Sequence, residues 1–170
     1  IDGVRKLLKP EGIFCFEVQY LVPVLDKFLL GTIFHEHMIH YSVTSANNFL
    51  KQNDLKLINI EQNNIQKGSI IFYAVKKENP LSPRPIINKM IQIEKSKGYL
   101  DGNKFNEFQL FIDNTSKSVA YLKEKSFDEG KIIAAFGAAR SGPTLAIQFG
   151  FENVFSYIMD DHPLKCGRIA

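Results

Sequence analysis

The sequence predicts an α/β protein in two parts: the closing portion of one α/β sheet, a stretch of helices, and the start of a second βαβ domain. Three observations carry this reading. Short apolar runs suited to buried strands alternate with helically spaced apolar residues from Val4 to Val75. Asn79-Pro80-Leu81-Ser82-Pro83-Arg84-Pro85, with three prolines in six residues, then interrupts the pattern. Finally, two apolar runs, Lys131 to Gly137 and Val154 to Met159, flank a helix-like segment.

Val4, Leu7 and Leu8 have helical spacing, and Pro10-Glu11-Gly12 ends it. Ile13 to Val18 reads as a buried strand, and Leu21 to Leu30 as a helix with Pro23 in its first turn. Thr44-Ser45 begins a helix that reaches about Asn53, with Phe49 and Leu50 facing the core. Leu55 to Ile60 and Ser69 to Val75 read as two strands joined through Gln66-Lys67-Gly68, most simply an antiparallel pair. An antiparallel last strand is common at the edge of a doubly wound sheet. Two helices follow the prolines, at roughly 86–98 and 104–129, charged outside and apolar inside. The last forty residues read as strand, the small-residue loop Ala138 to Gly142, a helix from Pro143 to Phe149, and a strand ending in Asp160-Asp161. The chain begins at Ile1 in what reads as mid-helix and stops at Ala170 just past a turn, and is read as a fragment of a longer protein.

With 170 residues and 45% hydrophobic content, a sizeable core is available without metal or disulfide support. The net charge of +3 comes from 21 basic and 18 acidic residues that are scattered, whereas a nucleic-acid partner would call for a clustered basic face. Cys15 and Cys166 form no CxxC pair, which points to a reducing, cytoplasmic setting. No apolar run is long enough to span a membrane, and no signal peptide is present.

The densest chemistry lies in Ile33-Phe34-His35-Glu36-His37. A metal site would use His35 and His37, with or without His40, yet Ile39 stands where a His-Glu-x-x-His pattern needs its second histidine. Structural histidines are the bland alternative. The favoured reading is acid–base, because imidazole titrates near neutral pH and a neighbouring carboxylate can orient it. An extended segment would put His35 and His37 on one face and Glu36 on the other.

Gly137 to Gly142 is a G-x-x-x-x-G loop between strand and helix. It lacks the middle glycine of the dinucleotide fingerprint and the lysine of a P-loop. It reads either as a ligand loop, with Arg140 adding positive charge, or as a tight turn with no ligand. Asp160 lies about twenty residues on, where a ribose-binding acid sits in Rossmann units. The segment Asp160 to Arg168 gathers polar groups at the carboxyl end of a strand, which is either a ligand site or a solvated turn.

Leu7 to Phe14 with Glu17-Val18, Ile33 to Ser45, Gln66-Lys67-Gly68-Ser69, Ala135 to Gly142, and Asp160 to Arg168 form an ordered set along nearly the whole chain. Together they resemble the S-adenosylmethionine-dependent sugar C-methyltransferases, which act on nucleotide-linked keto-sugars. The resemblance implies that residues 1–78 end a Rossmann-like methyltransferase domain. Residues 79–130 would form a linker and helical bridge, and 131–170 the start of a truncated, Rossmann-like C-terminal domain. It places the main S-adenosylmethionine loop, and a cysteine-rich zinc-binding segment, upstream of Ile1. It matches His37 to the family's catalytic base and Glu36 to the acid before it. Phe34, Arg140, Gly137, Ser141 and Lys165 fall in the substrate-binding segments. Phe34 stands where relatives often carry Tyr, and Arg140 where they often carry Lys.

The implied chemistry is removal of a proton next to a carbonyl by His37, followed by attack of the enolate on the sulfonium methyl. The expected partner is a small nucleotide-linked sugar, with neither nucleic acid nor membrane involved, and the fragment is expected to be inactive alone. The competing readings are a non-catalytic nucleotide- or sugar-phosphate-binding module, and a piece of a dinucleotide-dependent oxidoreductase.

Overall fold

A computed structural model describes residues 1–165 and 167 of the chain. The end of the Asp160–Arg168 segment, with Cys166 and Arg168, lies outside the described residues. The chain is a mixed α/β protein with two small sheets, and it divides into two compact units. Residues Ile1–Phe28 and Ile39–Asn106 make the first, and Leu29–Met38 with Glu107 onward the second.

The first unit runs α1 (Asp2–Leu7), β1 (Phe14–Gln19), α2 (Leu21–Asp26), α3 (Val43–Gln52), β2 (Leu55–Asn63), β3 (Ser69–Lys76) and α4 (Pro85–Ser96). The two strands expected to pair antiparallel do so, and β3 also accepts β1 on its other side. The sheet order is β1-β3-β2, so β1 and β2 run in the same direction with β3 reversed between them. Period-two alternation puts Phe14, Phe16 and Val18 beside Ile70, Phe72 and Ala74 on one face. Val43, Ala46 and Leu50 of α3 and Ile87 of α4 complete this core. In β2 the register shifts between Leu57 and Asn59; the extra residue, Ile58, is buried like Leu57.

Two features of this unit are set by tertiary contact. The helical pattern through Leu30 stops at Asp26, and Phe28 takes φ 50°. Asp26 is held there by the Tyr99 hydroxyl at 2.7 Å, and Lys27 donates to the Lys67 carbonyl at 2.9 Å. The proline-rich stretch is docked rather than loose: the buried Asn79 donates to the Pro10 carbonyl at 2.8 Å, and the Arg84 amide to Ile58 at 2.9 Å.

α3 starts with a reciprocal cap in which Ser42 Oγ accepts from the Ser45 amide and Ser45 Oγ from the Ser42 amide. Its next two amides, Val43 and Thr44, donate to the carboxylate of Glu94 at 2.7 and 2.9 Å. Tyr20 Oη and Thr44 Oγ1 donate to the same carboxylate at 2.9 and 2.6 Å. Glu94 is 0% exposed, so its charge is balanced by these donors and the positive end of α3. Burial and the Glu94 carboxylate push the Tyr20 phenol far above its ordinary range.

The second unit holds a 3₁₀ turn (Leu30–Thr32), most of α5 (Asn103–Asp128), β4 (Ala135–Phe136), α6 (Gly142–Gln148) and β5 (Ile158–Met159). β4 and β5 are parallel and flank α6, giving the βαβ order expected. Both strands are shorter than the apolar runs that suggested them. Pairing nevertheless extends beyond them: Ser156 donates to Ile133 at 2.9 Å, Ala135 to Tyr157 at 3.1 Å and Gly137 to Met159 at 2.7 Å. Asn153 at φ 58° and the bond from the Val154 amide to Phe151 turn the chain before β5, so Val154 has no strand partner. Among the described residues, no helix is long and apolar enough to cross a membrane.

Candidate functional site

The residues singled out between Phe34 and His37 belong to the second unit and form a turn, not an extended segment. The His37 amide donates to the Phe34 carbonyl at 2.9 Å. The alternation that would have opposed Glu36 to both histidines therefore does not apply. His37 Nδ1 lies 3.0 Å from the Thr32 carbonyl oxygen. A carbonyl only accepts, so Nδ1 carries a proton, and the neutral ring has its lone pair on Nε2. The Phe34 ring sits 4.7 Å from the half-buried His37 ring and 5.7 Å, edge-on, from that of the exposed His35. One imidazole is thus oriented by a backbone carbonyl and an aromatic neighbour.

Glu36 meets Arg140, whose Nη1 donates to its Oε2 at 2.6 Å. Two candidate residues 104 positions apart in the chain are thus joined. The 3₁₀ turn packs against α6, and a side chain at Gly31 would begin 3.6 Å from Ser141 Oγ. The turn that carries His37 and the loop after β4 are neighbours within one unit.

That loop is well supplied with internal partners. Gly137, at φ 91°, donates to Met159; Ala138 donates to Asp160 Oδ2 at 2.8 Å; Ala139 donates to Gly137 and Gly142 to Ala139. Asp160 Oδ2 also accepts from Lys165 Nζ at 2.8 Å, while Oδ1 accepts from the His162 amide at 2.8 Å. Lys165 bonds the Ala138 carbonyl as well, at 2.9 Å. Lys165 first, then the amides of His162 and Ala138, hold the Asp160 carboxyl down at about 2. Asp160 therefore staples the two strand ends together and occupies an amide that a ligand phosphate would need. An anion arriving here would meet the side chain of Arg140 instead. Ser141, at the N-cap of α6, uses no side-chain cap bond.

Further features have no signature in the sequence. Thr32 acts through its carbonyl, which any residue could provide, and Glu94 resembles the solvated acids of any amphipathic helix. A cavity of about 340 Å³ opens at the carboxyl ends of β1 and β2, among Tyr20, Pro23, Lys27, Asn63, Asn64 and Ser69. A groove of about 560 Å³ in the second unit is lined by Ile147, Phe151, Phe155 and Tyr157, with Phe151 and Phe155 stacked at 4.9 Å. Among the described residues, no three His, Cys, Asp or Glu side chains are grouped to hold a metal ion.

The structure thus sets a turn carrying Glu36 and His37 beside the loop of a βαβ unit on an α/β scaffold. Residues 64–170 match the family model described as the C-methyltransferase C-terminal domain, and the chain belongs to that C-methyltransferase family. It is similar to C-methyltransferase NovU of Streptomyces niveus, with 28% identity over 170 residues, 99% of this chain and 40% of the relative. The chain thus spans about two fifths of the length of this curated relative.

Proposed function

We propose that the chain is part of an S-adenosylmethionine-dependent C-methyltransferase acting on a nucleotide-linked keto-sugar, with His37 as the base. The observation that carries the assignment is the Nδ1 bond of His37 to the Thr32 carbonyl, which leaves Nε2 as the basic atom. A carbon next to a carbonyl becomes nucleophilic only when its proton is removed, and a positioned base contributes roughly 10²–10⁴ in rate. The Phe34 ring packs beside that of His37 at a tilt of 45°. Arg140, Ser141, Gly137 and Lys165 line the neighbouring loop, where a negatively charged nucleotide would lie.

The family implies S-adenosylmethionine as the methyl donor, supplying an electrophilic methyl group. The glycine loop after β4 does not fit that cofactor, since its amides at Gly137, Ala138 and Ala139 are taken by protein acceptors. The donor's site is therefore assigned to other parts of the protein. The parallel run of β1 and β2 around a reversed β3 supports reading residues 1–78 as the end of a Rossmann-like methyltransferase sheet. Residues 79–130 are then a linker and helical bridge and 131–170 the start of a Rossmann-like βαβ portion, both within the stretch that matches the C-terminal domain model.

The decisive experiment is methyl transfer to a nucleotide-linked keto-sugar by the full-length protein and its His37→Gln variant. The variant should lose at least a hundredfold in kcat while binding S-adenosylmethionine normally. Unchanged turnover would remove His37 from the role of base.

A further inference from the structure

Glu36 and Arg140 were singled out for different duties, one beside the base and one toward an anionic ligand, yet each is the other's partner at 2.6 Å. Both are accessible, with Arg140 76% and Glu36 42% exposed at the side chain. An exposed ion pair contributes little, so a multiply charged ligand competes well for the guanidinium. Most of the loop's other donors are already committed. Its amides at Gly137, Ala138, Ala139 and Gly142 already have protein acceptors, and Lys165 is held by Asp160 and the Ala138 carbonyl. An anion at the carboxyl end of β4 is thus left with Arg140 as its strongest available donor.

We propose that the Glu36–Arg140 ion pair is a latch opened by the diphosphate of an incoming ligand. The guanidinium exchanges the Glu36 carboxylate for phosphate oxygens, and Glu36 is released next to His37. In the latched state the Glu36 charge is neutralised; in the open state an unpaired carboxylate stands one residue before the proposed base, in the same turn. The turn of the proposed base would then carry this free negative charge only when substrate occupies the loop. This inference rests on the proposed role of His37, but its central claim, that Glu36 competes with an anion for Arg140, concerns binding alone.

Calorimetric titration with inorganic pyrophosphate at fixed ionic strength, with sulfate as the control anion, tests it on the full-length protein. Arg140→Gln should abolish pyrophosphate binding, and Arg140→Lys should retain part of it. Glu36→Gln should tighten binding about two- to fivefold, the factor matching the strength of an exposed ion pair. In the Arg140→Gln background, Glu36→Gln should change nothing, because the competition is gone. Glu152→Gln, which removes a carboxylate elsewhere on the same unit, should leave the affinity as it was. No pyrophosphate binding by the unsubstituted protein would overturn the latch. So would an equal gain from Glu36→Gln with and without Arg140, which would show only a general charge effect. His37→Gln should bind pyrophosphate normally, so loss of the base role and loss of the latch give different results. A nucleoside diphosphate binding more tightly than pyrophosphate, with the same coupling, identifies the nucleotide as the source of the charge.

Discussion

Arg140 reaches across 104 residues of sequence to donate to the Glu36 carboxylate at 2.6 Å. The contact lies within one compact unit, and it puts the loop after β4 beside the turn that carries His37. Because both side chains are accessible, the pair contributes little to stability.

On the proposed role of His37, the same turn would make Phe34 a positioning residue. Its ring lies 4.7 Å from that of His37. Phe34→Ala should lower kcat for methyl transfer about tenfold through loss of orientation, and Phe34→Tyr should restore activity because the ring is kept. Steady-state kinetics on both variants, with unchanged thermal midpoints, checks this. Equal activity of the alanine variant would show that the ring is a bystander.

Glu94 should be among the residues least tolerant of change in the first unit. Glu94→Ala leaves the Val43 and Thr44 amides and the Tyr20 hydroxyl without their acceptor inside the fold. A loss of about 3 kcal/mol is expected, read from urea denaturation. Glu94→Gln should fall between, since its remaining oxygen still accepts while its amide group faces other donors.

Gly68 explains the glycine between β2 and β3. Its φ is 147°, and a Cβ there would stand 2.7 Å from Cγ of Pro23. Gly68→Ala should therefore destabilise by about 1–3 kcal/mol through clash and backbone strain. The midpoint of denaturation should fall with an unchanged slope. A neutral outcome would mean that the α2 turn can move aside freely.

Acid should loosen the staple at the end of β5. Asp160 has its carboxyl lowered from 3.8 to about 2 by Lys165 and the amides of His162 and Ala138. Its folded value lies below its unfolded one, so its stabilisation is complete above about pH 4 and disappears as pH falls through about 2. Asp160→Asn should flatten the stability profile in that window and leave the slope above pH 5 unchanged. Denaturation midpoints measured from pH 2 to 6 would show an identical acid limb if Asp160 played no part.

Much of the local structure was legible because local rules decide it. Apolar periodicity located β1, β2, β3, α3, α4 and α5 to within a few residues, although α5 buries only Phe108 and leaves Leu110, Tyr121, Leu122 and Phe127 exposed, against the expected apolar inner face. The short β4 and β5 were harder, because apolar character marks burial but not the length of chain that finds a strand partner. The end of α2 was missed for a similar reason: Tyr99 and Lys67, distant in sequence, hold Asp26 and the C-cap Lys27 where the helix stops.

Residue chemistry marked Glu36, His37 and Arg140 as candidates, and the ordered motifs pointed to the family, because proton transfer and anion binding require particular side chains. The tertiary structure alone decided how those side chains are committed. It turned the His37 Nδ1 to a backbone carbonyl, gave Glu36 to Arg140, and gave Asp160 to the loop beside it. It also converted Glu94, which reads as one more surface acid, into the buried anchor of α3. Sequence lists the donors and acceptors, but hydrogen bonds between residues far apart depend on distances of a few ångströms that only the packed chain defines.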